Sequence, residues 1–346
     1  MPILGIIASS FKLAPKFFLA ATDDTPFLHG WEWSDSTGFG TKFSSPATVP
    51  GQYGQGIAIN SASTAIAIGG GQSPRANAYP ISALGFGTKY TNPASVTAAG
   101  HQTCDFHPSN NAIIFGANSS PNQDAYAWTD ASGFGTRYSN PATAVPTQTN
   151  DLTFSPDGNV VAFSTFNYPN IGAYAWNSSS GYGTKYANPA SFVEGTEALD
   201  FNYAGDILIQ ATGGQGVYVQ GWPWSNSTGF GTKFSNPATP PPDTGDACGT
   251  TKSGTDAVVI GHQTSPFMSG YPISSAGFGS KYSNPAVLPV GRVFDLMFSN
   301  SNAALALATD SVSPFNQAYA WSNPGFGTKY SNPATLATSS PHVAIN

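Results

Sequence analysis

The chain has 346 residues, of which 40% are apolar and only 9% charged, against roughly 25% charged in an average soluble domain. Its net charge is −6, and seven of its twelve basic residues belong to one recurring phrase, so no basic cluster remains to neutralise phosphates. This balance argues against a nucleic-acid partner, and no apolar run is long enough to cross a membrane as a helix.

The chain opens with a stretch, Met1 to Ala21, that mimics an export signal. Lys12 and Lys16 interrupt its apolar run, and no basic segment precedes it. Lys16-Phe17-Phe18-Leu19-Ala20-Ala21 also aligns with Asn159-Val160-Val161-Ala162-Phe163-Ser164 further along, so it reads as a strand of a first repeat. The recurring phrase is Gly-Phe-Gly-Thr-Lys-Tyr. Its basic residue falls at Lys42, Lys89, Arg137, Lys185, Lys233, Lys281 and Lys329, spaced by 47 and then five times by 48, with a Pro four positions later each time. A period in the forties built of strand-like segments predicts a β-propeller with one blade per repeat. The expected fold is all-β: a single seven-bladed propeller over 1–346, four antiparallel strands per blade. The blades fall near 1–50, 51–97, 98–146, 147–194, 195–241, 242–289 and 290–346.

The clearest copy runs from Asp151 to Val193. Asp151-Leu152-Thr153-Phe154 alternates like a strand, and Ser155-Pro156-Asp157-Gly158 is turn chemistry, with Pro fixing φ and Gly supplying φ > 0. Val160 to Ser164 is a continuous apolar strand of the kind buried on both faces. Ala173-Tyr174-Ala175-Trp176 makes the third strand, and Thr184-Lys185-Tyr186 begins the fourth. At the far end, His342 to Asn346 stands where a first strand stands in other repeats. It or Ile3 to Ser10 would supply the inner strand of blade one, and the sequence leaves both open.

These residues resemble the WD-repeat propellers. Phe154-Ser155-Pro156-Asp157-Gly158 sits at that family's first-to-second strand turn, and Trp176 at the end of its third strand, although Asn177 replaces the Asp that follows the Trp there. The phrase in its fullest form, Gly325 to Thr335, is similar to that of propeller repeat proteins of tailed, particularly marine, bacteriophages. That resemblance implies a non-enzymatic virion component (tail, fibre or capsid surface) made in the host cytoplasm. Its implied partners are other virion proteins and a host receptor or glycan. A carbohydrate-binding propeller lectin is the alternative.

Two recurring columns have a packing reading and a binding reading. The aromatics Trp31, Tyr79, Tyr126, Tyr174, Trp222, Tyr271 and Tyr319 would either stack ligands or fill the space between blades; regular recurrence favours packing. The Lys or Arg column lies on the fourth, edge strand, where Lys and a following Pro protect against edge-to-edge association. Variation concentrates in the loops between second and third strands and between fourth and first, which emerge on one face. There Phe27, Leu28, Arg75, Tyr168, Phe267, Met268 and Phe315 are the expected contact residues.

Catalytic machinery is not visible as a motif. The five His are scattered without metal-ligand spacing, no Gly-x-Ser-x-Gly elbow occurs, and no cofactor or metal is expected. Asp105, Asp151, Asp200, Asp246 and Asp295 fall in or near first strands, which line a propeller's channel; strand-end hydrogen bonding is their default role. Cys104 and Cys248, three repeats apart, would face each other across a ring, too distant for a disulfide.

Overall fold

The computed structural model describes residues 15–96, 100–192, 195–214, 216–310, 312–322, 325–339 and 342–346. They form seven four-stranded antiparallel sheets. The inner strands are Gly54–Ile59, His101–Phe106, Thr149–Phe154, Thr196–Phe201, Gly245–Thr250, Val293–Phe298 and His342–Ile345. Each packs against the inner strands on either side, and the cycle closes where His342–Ile345 meets both Gly54–Ile59 and Val293–Phe298. The molecule is a seven-bladed β-propeller.

Blade one joins the two ends of the described chain. His342–Ile345 pairs antiparallel with Phe17–Ala21, with Phe18 opposite Ile345 and Ala21 opposite His342. Asn346 secures the join: its Oδ1 accepts from Phe17 N at 2.6 Å and its Nδ2 donates to Pro15 O at 3.1 Å. The C-terminal segment therefore takes the inner position. The alternative strand Ile3 to Ser10 lies outside the described residues, as do Lys12, Val193, Glu194 and Gln215.

Sequence explains the layering. Second strands such as Val160–Thr165 and Ala304–Thr309 are buried along their whole length, because neighbouring sheets cover both faces. The Ser155–Gly158 turn closes as expected, with Gly158 at φ +73° donating its N–H to Ser155 O at 2.8 Å. The aromatic column is 1% exposed or less throughout, so it packs blades together and offers no ligand platform. The basic column lies across from it, with Lys42 opposite Trp31 and Arg137 opposite Tyr126. Lys89, Lys185, Lys233 and Lys281 each donate to the Asn three positions later (Asn92, Asn188, Asn236, Asn284). Their stems cover the aromatics while their charges stay at the rim.

The residue after each Lys or Arg pins its blade to the next. Tyr90 meets the edge of Trp128 at 5.1 Å between ring centroids and donates its hydroxyl to Asp130 O at 2.7 Å. Tyr138 repeats this with Trp176 and Ser178 O, Tyr186 with Trp224 and Asn226 O, and Tyr330 with Trp33 and Asp35 O. The ring lies so close to the following Gly-Phe-Gly turn that a Cβ on Gly133, at φ +76°, would stand 2.8 Å from Tyr90. Where the partner is Ile81 or Ile273 instead of Trp, the pinning residue is Phe43 or Phe234. The turns after those two Ile are one residue shorter than the Thr129–Ser132 turn after Trp128. In those two blades the hydroxyl is absent where the longer turn is absent.

Both cysteines are buried and free, and burial pushes their thiols well above the ordinary range. They pack as small apolar groups.

Candidate functional site

The loop residues singled out by sequence divide by depth. Leu28 and Met268 are wholly buried at the starts of third strands, which corrects their assignment as contact residues. The chain turns inward just before them, at Phe27 and Phe267, each with φ +66°. Phe27 and Phe267 are half-buried, with Phe267 packed on the Met268 cluster; Arg75 and Phe315 are half-buried too. Tyr168 alone of the seven stands out, 68% exposed, with its ring 5.6 Å from that of Phe192. These positions do not converge on a pocket.

The ring instead encloses an axial cavity of about 860 Å³ walled by the inner strands. Asp105, Asp151, Glu197, Asp200, Asp246 and Asp295 line it, with Lys252 and Arg292 as the Lys and Arg among its lining residues. Where the inner strands begin, Arg292 reaches across one blade to Asp246, with Nε and Nη2 each 2.8 Å from a carboxylate oxygen. Gln263 Nε2 also donates to Asp246 at 3.2 Å, Asp310 lies 3.6 Å from Arg292 Nη1, and the guanidinium sits 4.8 Å from the Phe294 ring centre.

Midway along the strands, Asp151 accepts from Leu152 N at 2.8 Å, Leu199 N at 3.0 Å and Thr103 Oγ1 at 3.0 Å. Asp295 accepts from Leu296 N at 2.8 Å and Val343 N at 2.9 Å. These carboxylates link neighbouring inner strands, the default role expected of them. Near the strand ends lie Asp105 and Asp200. Asp200 Oδ2 accepts from Lys252 Nζ at 2.8 Å, Thr250 N at 3.0 Å and Thr250 Oγ1 at 2.9 Å. Asp105 Oδ2 accepts from Phe154 N at 2.9 Å.

Burial sets the electrostatics. It pushes the Asp105 carboxyl up to about 7; the Phe154 amide and Lys252 pull back, and the Asp200 charge adds to the rise. Asp151 is likewise pushed up to about 7, by burial first, against the pull of the Leu199 amide. Burial also works against the Lys252 charge, but Asp200 outweighs it and the ammonium is held above its ordinary range. Asp105 thus exchanges a proton near neutrality while Lys252 stays charged. Among the described residues, no three His, Cys, Asp or Glu side chains come together as a metal-binding group.

Sequence reasoning placed the five Asp along the channel but passed over Lys252. The signal was a break in the repeat: the equivalent positions hold Ser61, Pro108, Pro156, Tyr203 and Asn300. Lys252 sits on a turn tied to the next blade, its N–H donating to Asn302 Oδ1 at 2.6 Å, and from there its side chain reaches Asp200.

The fold and this cavity define the class: a seven-bladed propeller with a carboxylate-lined axial channel. No protein-family model matches the chain, and no curated protein matches it in sequence. Its fold is similar to solved structures of bacterial proteins. One is a candidate 6-phosphogluconolactonase from Bacteroides fragilis NCTC 9343, with a TM-score of 0.74 and 10% identity over 97% of this chain and 99% of that one. Another, described in the same way, is from Bacteroides uniformis ATCC 8492, with a TM-score of 0.71 and 12% identity over 96% and 100%. A protein from Lactobacillus plantarum matches with a TM-score of 0.73 and 10% identity over 96% and 99%. At such identities the likeness shows the fold alone.

The comparisons correct the expectation of a non-enzymatic virion component. The structures sharing the fold are bacterial proteins, two of them described by an enzymatic activity, and nothing in them points to a phage particle. The lectin alternative relied on Tyr and Trp pockets between blades, and that aromatic column is buried.

Proposed function

We propose that the protein is a hydrolase whose site is the inner end of the axial channel, acting on a small hydroxylated lactone or ester. The observation that carries this reading is the pairing of Asp105, a carboxyl titrating at about 7, with the Lys252 ammonium fixed by Asp200 in one enclosed cavity. The descriptions of two structural neighbours as lactonase candidates lend support to the reaction class.

In this mechanism the ionised Asp105 takes a proton from water as the water oxygen attacks the acyl carbon. Lys252 stabilises the oxyanion in a site where surrounding protein strengthens its field. The acyl–oxygen bond then breaks, and the leaving oxygen takes the proton back from Asp105, giving the hydroxy acid. Asp200 orients the ammonium, and Asp151, engaged by three donors, holds the wall.

The test is acid release from D-glucono-1,5-lactone above the spontaneous rate. Activity should rise with pH through about 7, as Asp105 loses its proton. Asp105→Asn and Lys252→Met should each lower kcat by about 100-fold or more. Enzyme-dependent hydrolysis that survives both substitutions would place the chemistry elsewhere.

A further inference from the structure

Two fixed cations line the channel, and both are already engaged. Lys252 is held by Asp200, and Arg292 is held by Asp246 through two parallel bonds of 2.8 Å, with Gln263 bracing the carboxylate from behind. A bidentate guanidinium–carboxylate pair has few donors left for a second anion. The remaining wall carboxyls, Glu197, Asp105, Asp151 and Asp295, add negative charge and no anion-binding donor. The pair spans two blades: Asp246 is on the inner strand Gly245–Thr250, and Arg292 directly precedes the inner strand Val293–Phe298. It therefore sits in the channel wall, where an incoming ligand passes it.

We propose that the Arg292–Asp246 pair is a specificity filter that makes the channel accept uncharged hydroxylated rings and refuse phosphorylated ones. This rests on the channel being the substrate site, as in the hydrolase reading above. The filter works because Asp246 neutralises the guanidinium that a phosphate would otherwise capture. An uncharged sugar ring needs no such cation and meets carboxylate acceptors along the wall. The proposed substrate class is accordingly a neutral sugar lactone, in contrast with the phosphorylated compound named in the descriptions of the Bacteroides proteins.

The experiment compares glucose with glucose 6-phosphate, the same ring with and without the dianion, by ligand-observed NMR titration. Wild-type protein should bind glucose at least ~10-fold more tightly than glucose 6-phosphate, the phosphate lacking a free cation and meeting like charge. Asp246→Asn frees Arg292 and should raise affinity for glucose 6-phosphate by ~10-fold or more, the scale of one charge-assisted contact. Adding Arg292→Gln to that variant should abolish the gain. A wild-type protein that prefers the phosphorylated ring overturns the proposal. So does an Asp246→Asn variant without a gain, or a gain that persists in the double variant. Should Asp246→Asn not fold, Arg292→Gln alone decides: discrimination against the phosphate must hold or grow, and its loss refutes the filter. Because binding is the readout, absence of lactone hydrolysis with this selectivity intact would remove only the role of Asp105.

Discussion

Replacing Asp105 by asparagine should flatten the pH dependence of folding stability. The carboxyl titrates at about 7 in the folded protein, raised from an ordinary 3.8 by burial. Between these values the unfolded chain has lost its proton and the folded chain keeps it, so this group's contribution to stability falls as pH rises. The slope is about 1.4 kcal/mol per pH unit, and from pH 5 to pH 7 it integrates to about 2 kcal/mol. Above about pH 7 the folded carboxyl is ionised as well and the loss levels off. Asparagine keeps an oxygen for the Phe154 amide and has no proton to lose. Urea denaturation followed by tryptophan fluorescence at pH 5, 6 and 7 measures the difference. Wild type should lose about 2 kcal/mol more than Asp105→Asn across that range, with Asp151 contributing a similar slope to both proteins. Parallel stability profiles would mean that Asp105 is not held protonated, and the argument for it as a base near neutrality would fail with them.

The blade joint gives a paired test: Gly133→Ala meets Tyr90 at 2.8 Å as well as an unfavourable φ of +76°, whereas Gly216→Ala has φ +77° and nothing within 4 Å. The first should cost about 1 kcal/mol or more beyond the roughly 1 kcal/mol of the second, and equal thermal shifts would show a loose joint. Tyr138→Phe removes the hydroxyl that reaches Ser178 O at 2.5 Å and should cost about 1 kcal/mol, while Tyr282→Trp would overfill the same kind of joint. Cys104 and Cys248 should resist a thiol reagent in the native protein and react within the dead time once it is denatured. Native-state labelling at the free-thiol rate would contradict their burial.

Much of the architecture is readable in the sequence because a repeat of constant period must place equivalent residues in equivalent environments. The Gly-Phe-Gly turns, the Ser155–Gly158 turn and the buried column from Trp31 to Tyr319 follow from that equivalence alone. Even the blade joint has a trace, since Phe43 and Phe234 precede the two repeats with Ile81 and Ile273. The inner strand of blade one could not be assigned, because its hydrogen bonds join segments more than 300 residues apart and either end could supply them. The channel site was harder still. Asp105, Asp200 and Lys252 come from three repeats, each ordinary in its own surroundings, and only the ring brings them together. The loop apolars misled for a local reason: Leu28 and Met268 look like loop residues in sequence, yet each opens a third strand whose first side chain faces inward.

Blade one has a consequence for biosynthesis. Phe17, Phe18 and Leu19 leave the ribosome early, but the strand that covers their inner edge is more than 320 residues downstream. At roughly 5–20 residues per second, that interval is on the order of tens of seconds. Throughout it the nascent chain carries an apolar, unpaired strand edge. The circle is therefore sealed only by the last strand translated, and the early strands depend on shielding by cellular factors until it arrives.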